Sequence, residues 1–215
     1  GKHVSATVDN SSVNTIYSFS YVNPYYTLDG ISRGFSAFYR DTNTTAAIVN
    51  IAEFSSTSYG AGVDYGFPIN EYDRWSLGAR YENTSLQTTT NTPQSYIDFL
   101  NQNSSTFDII RLTAGWTHDT RNRAILADRG MYTDLSAELA VPGGGLAFYT
   151  LNYHELGYIP LNKDITLYLN GQGSYGDGYD GTTGLPFFFN GCAGCLQRVR
   201  GFKVNSLGPK DGLNR

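Results

Sequence analysis

The sequence predicts an all-β chain: an incomplete transmembrane antiparallel up-and-down β-barrel, with too few strands to close. Three observations carry that expectation. Composition is the first: Tyr occurs 17 times, Phe 12 and Gly 24, against a single Met and 16% charged residues. Such a mixture suits twisted strands with one apolar and one polar face. The second is that apolar residues recur with period two, and no long stretch carries the 3.6-residue period of an amphipathic helix. The third is that no run approaches the roughly 20 consecutive apolar residues of a spanning helix. Mean hydropathy of −0.33 is ordinary for a barrel, because only alternate residues face lipid.

Nine segments alternate, over 2–10, 15–26, 31–41, 58–68, 74–86, 106–118, 131–142, 147–159 and 165–176. Each is about the ~9–11 residues of a tilted spanning strand plus its interface. The fourth sets Tyr59, Ala61, Val63, Tyr65 and Phe67 against Gly60, Gly62, Asp64 and Gly66. The fifth sets Trp75, Leu77, Ala79 and Tyr81 outward against Ser76, Gly78, Arg80 and Glu82. Ile110, Leu112, Ala114 and Trp116 then oppose Arg111, Thr113, Gly115 and Thr117. Leu135, Ala137, Leu139 and Val141 oppose Ser136, Glu138 and Ala140. The polar face of a soluble sandwich is usually rich in Lys and Glu. Here it is Gly, Ser, Thr and an occasional charge, which suits a crowded wet lumen, and the apolar face ends in aromatics as an interfacial girdle does.

The connections alternate in kind. Leu28-Asp29-Gly30, Asn70-Glu71-Tyr72-Asp73 and Pro160-Leu161-Asn162-Lys163 are tight, and Asp-Gly is a strong hairpin signal. The segments 42–57, 87–105 and 177 onward are long and polar. Of two intermediate connections, 118–130 falls on the short-turn side and 142–146 on the long-loop side. Barrels of the bacterial outer membrane have short periplasmic turns and longer outside loops, so that membrane is the expected location. An open edge in lipid would leave backbone groups unpaired at several kcal/mol each. The chain therefore reads as a fragment, with closing strands to follow and any secretory signal upstream of Gly1.

Net charge of −4 gives no basic footprint for nucleic acid. The inward charges Asp64, Arg80, Glu82, Arg111 and Glu138 read as a mixed-sign network, since neither sign predominates. Asp119 with Arg121 reads as an Asp-initiated turn with a local charge pair. Cys192 and Cys195 form one C-x-x-C; an oxidising location favours a disulfide between them, whereas zinc needs more ligands than two cysteines supply. His3, His118 and His154 are scattered, and no nucleophile–base spacing or phosphate loop is found. The expectation is no enzyme, no cofactor and no metal.

Four stretches resemble the BamA family of outer-membrane proteins. Val22-Asn23-Pro24-Tyr25-Tyr26-Thr27-Leu28-Asp29-Gly30 is similar to that family's strand end and turn. Gly66-Phe67-Pro68-Ile69-Asn70-Glu71-Tyr72 is similar to its next periplasmic turn. Asp119-Thr120-Arg121 followed by Arg129-Gly130 looks like its D-x-R…G connection. Val199-Arg200-Gly201-Phe202, followed by Asn205-Ser206-Leu207-Gly208-Pro209, resembles the motif of its sixth extracellular loop.

The resemblance implies a partial barrel over 1–176, the third strand onward of about sixteen in all, and the start of a lumen-plugging loop over 177–215. The upstream POTRA domains and the closing strands would lie outside this chain. It implies a barrel-assembly factor whose partners are unfolded outer-membrane β-barrel clients, outer-membrane lipids and lipopolysaccharide, and assembly-complex lipoproteins held through the POTRA domains. Arg200 would contact the inner wall through a rigid fork of donors, Gly201 would permit the tight turn, and Phe202 would anchor the loop tip. A TamA-like or two-partner secretion pore would keep the same arginine motif. A passive porin would not explain it.

Overall fold

A computed structural model describes residues 1–11, 13–43, 54–89, 92, 94–143, 145–182 and 184–186. Among these residues nine strands form one antiparallel sheet in strict chain order. They are β1 (His3–Asn10), β2 (Asn14–Asn23), β3 (Ser32–Asn43), β4 (Phe54–Pro68), β5 (Asp73–Thr88), β6 (Thr106–Asp119), β7 (Gly130–Ala140), β8 (Phe148–Pro160) and β9 (Thr166–Gly178). The up-and-down order and the strand number agree with the sequence. The ends differ: β4 begins at Phe54 and β5 runs on to Thr88, while β2 stops at Asn23, before Pro24, and β7 at Ala140, before Val141.

Register makes the two faces continuous. Val63 lies opposite Phe35 on one side and Ala79 on the other, then Ala79 meets Leu112 and Leu112 meets Leu139. Trp75, Trp116, Leu135 and Tyr153 form a second row on the same face. Tyr17, Phe19, Tyr59, Leu77, Ile110, Leu151 and Tyr175 of this face are exposed. Large apolar side chains left in contact with solvent over so many strands define a surface meant for lipid.

The opposite, inner face is not polar throughout. At the loop end Leu86, Phe107, Ile109, Ala140, Leu146 and Phe148 form the buried cluster, with Phe99, Leu100 and Leu185 packed on it. Phe99 and Leu100 belong to α1 (Gln94–Asn103), a helix inside the stretch expected to be a polar loop. Ten residues are too few to hold a helix in water; its apolar side chains packed on the sheet do so instead. Phe99 meets Phe107 with ring centroids 6.2 Å apart.

Candidate functional site

The sequence singles out residues that the fold gathers along the turn-side rim. Asn23 Oδ1 accepts the Tyr25 amide at 3.3 Å across Pro24. The same turn closes through Tyr26 N to Ile31 O at 2.8 Å, with Gly30 at φ 81°. Asp29 is exposed. A Cβ on Gly30 would lie 3.4 Å from Pro68 Cγ, so the β2–β3 and β4–β5 turns touch.

Asn70 Oδ1 accepts the amides of Tyr72 at 2.7 Å and Asp73 at 2.8 Å. Asn162 does the same for Asp164 and Ile165, both at 2.8 Å, in the β8–β9 turn. Pro68-Ile69-Asn70 and Pro160-Leu161-Asn162 are thus one turn used twice, with the amide side chain standing in for a backbone acceptor.

Between β6 and β7, Asp119 grips Arg121 with a fork: Nε to Oδ1 at 2.8 Å and a terminal nitrogen to Oδ2 at 2.7 Å. Asp119 Oδ1 also accepts the Arg121 amide at 3.1 Å. Those hydrogen bonds hold the guanidinium above its ordinary pKa, against partial burial. Its carbon lies 4.6 Å from the Tyr132 ring centroid. Gly130 has φ 105°, and a Cβ there would come within 2.4 Å of Thr120 O, so only glycine fits the close approach.

Sequence reasoning missed Asp73. Its Oδ1 accepts from Trp116 Nε1 at 3.1 Å and lies 2.9 Å from His118 Nδ1, while its Oδ2 accepts from Asn70 at 2.7 Å. This carboxylate therefore ties the β4–β5 turn to the end of β6. The signal was present in the spacing of Asn70 and Asp73, but the partners on β6 are long-range. Around this rim Tyr25, Leu28, Ile69, Ile125, Leu126 and Leu161 are exposed.

On the inner wall Arg111 is held between two carboxylates, pairing with Glu82 and, at 3.2 Å, with Glu138. Asp64 and Arg80 share that face, and the ion pairs found among the described residues do not include them. Thr84 donates to Glu82 at 3.2 Å and shares a hydrogen bond with Ser58. Val199, Arg200, Gly201, Phe202, Cys192 and Cys195 lie outside the described residues.

An aromatic-banded antiparallel wall with short turns at one rim and long connections at the other is that of an outer-membrane barrel protein. The chain belongs to the Omp85 superfamily, whose domain it matches over residues 1–214. It is 31% identical over 218 residues to the outer membrane protein assembly factor BamA of Neisseria meningitidis serogroup B. That match covers 98% of this chain and 27% of the relative, so the chain spans about a quarter of that protein's length. The crystal structure of BamA from Haemophilus ducreyi lacking POTRA domains 1–3 superposes with a TM-score of 0.86 at 28% identity, covering 98% of this chain and 42% of that one. The outer membrane is where this wall resides.

Proposed function

We propose that the protein to which this wall belongs folds and inserts β-barrel proteins into the bacterial outer membrane, without covalent chemistry. The observation that carries the reading is the match, over 98% of this chain, to a relative named as an outer membrane protein assembly factor and to a crystal structure of BamA. Unfolded barrel clients supply strands whose N–H and C=O groups seek an edge, and β-augmentation offers both affinity and direction. The client's own folding supplies the free energy.

In this reading Arg200, within Val199-Arg200-Gly201-Phe202, docks the sixth loop on the inner wall. A disulfide between Cys192 and Cys195 shapes that loop locally. The rim formed by Asn23, Pro24, Asp29, Gly30, Pro68, Asn70, Asp119, Arg121 and Gly130 faces the periplasm. Lipoprotein partners attach through POTRA domains, and the surrounding lipids and lipopolysaccharide contact the aromatic face.

The test uses the full-length protein in liposomes, with an unfolded barrel client delivered by a periplasmic chaperone. Accelerated client folding that falls with Arg200→Ala is the expected result. Steady conductance with no acceleration would replace this reading with a secretion pore or porin.

A further inference from the structure

We propose that the lipid-facing surface carries a headgroup site for an aminophospholipid, centred on Glu155. The inference rests on that face meeting lipid and is independent of the assembly activity. Among the outward residues of β8, Glu155 stands between Tyr153 and Gly157, with Leu151 and Ile159 further along the strand. Pro160 ends the strand five residues on, so the carboxyl sits about 17 Å along the strand from the turn at ~3.3 Å per residue. An ionisable group at such a depth on a lipid-facing surface costs several kcal/mol unless something partners it.

Its partners are half complete. Glu155 Oε2 accepts from Thr133 at 2.7 Å and from Tyr153 at 2.9 Å. Oε1 has no hydrogen-bond partner among the described residues. None of the ion pairs among those residues includes Glu155. In this proposal a molecule of the membrane supplies the donor that the described residues do not.

The surroundings say what kind of molecule brings it. A groove of about 640 Å³ opens beside Glu155, bordered by Met131, Ile159 and Leu169. On its far side Gly171, directly opposite Glu155, lines the same groove and puts no side chain into it. That space and its apolar border suit an acyl chain. Glu155 lines the groove with its Oε1 turned away from solvent, and the terminal torsion of Glu is soft, so a modest rotation presents that oxygen to a ligand.

Register supplies the path. Asp73, His118, Thr133 and Glu155 stand opposite one another in turn, on the same outward face. Asp73 opens β5 at turn level, whereas Glu155 lies well inside β8. A polar row thus climbs from the periplasmic interface into the apolar band. An ammonium headgroup can descend along it, and a primary ammonium has N–H donors for the unfilled oxygen.

Full-length protein is equilibrated in detergent with equimolar phosphatidylethanolamine, phosphatidylcholine and phosphatidylglycerol, and retained lipid is read by native mass spectrometry. Phosphatidylethanolamine is retained over phosphatidylcholine, whose quaternary ammonium has no N–H, and over the anionic lipid. Glu155→Gln lowers that retention about tenfold, as the loss of one charge-assisted hydrogen bond implies. Gly171→Leu, which fills the groove, lowers it as well. Equal retention of the ethanolamine and choline lipids by the native protein overturns the proposal, as does a preference that survives Glu155→Gln. A protein partner occupying the groove would give the first of these results.

Discussion

The two rims of the wall are built on different principles. At the turn side the reversals are closed by local bonds, with Asp73 adding a long-range tie to β6: Asn70 and Asn162 cap amides two and three residues on, and Asp119 binds Arg121 two residues on. At the loop side the bonds are long-range. Ala147 N donates to Thr182 Oγ1 at 2.9 Å, and Tyr179 OH to Ala140 O at 2.7 Å. A Cβ on Gly178 would lie 2.2 Å from Thr182 O and 2.4 Å from Gly184 O. The loop rim holds together when α1 and the connections after β7 and β9 pack at once. At the turn rim the reversals at Asn70, Asp119 and Asn162 are each closed by their own side chain, and that suits an end where strands must reverse reliably.

The contrast is broken most sharply at Phe107. Fully buried among Leu86, Ile109 and Phe148, it should cost about 3–5 kcal/mol on truncation to Ala, read as a lowered denaturation midpoint of the full-length protein. Combined with Phe148→Ala, the losses should fall short of or exceed their sum by about 0.5 kcal/mol or more, since contacting residues couple. Strict additivity would mean that the loop rim is not one cooperative cluster.

On the turn side Gly130→Ala should cost about 2–3 kcal/mol, from the left-handed backbone and the approach to Thr120 O. Unchanged heat-modifiable mobility and midpoint would show that the β6–β7 turn relaxes freely. The smallest effects belong to Asn70→Ala and Asn162→Ala, about 1 kcal/mol each. Because the two turns are separate, their losses should add within about 0.5 kcal/mol; coupling between them would deny that the turn rim is locally built.

The same contrast explains what could be read from the sequence. Period-two alternation placed Tyr59 to Phe67 and Trp75 to Tyr81 on one face, and register bears that out. Asn70 and the Asp119–Arg121 pair are local, so their turns were legible. Leu86, Phe107, Ile109 and Phe148 look unremarkable in sequence, and they become a core only when α1 and two connections fold over them. The helix itself was hidden because its stability is tertiary. Glu155 was legible in principle, as the one carboxylate in the outward register of β8 between Tyr153 and Ile159, but a period-two reading averages over such exceptions. Asp73 was seen as a turn residue, while its bonds to Trp116 and His118 span more than 40 residues.

The central claim is that alternate residues of these strands face lipid and the others an enclosed interior. It is tested by single cysteines at Ser136 and Ala137, one residue apart on β7, in full-length protein with Cys192 and Cys195 replaced by Ser. Each is labelled with an environment-sensitive fluorophore and reconstituted in vesicles containing spin-labelled lipid. Quenching by the lipid at 137 with little at 136 is the predicted result. Equal quenching at both positions, or quenching confined to 136, would contradict it.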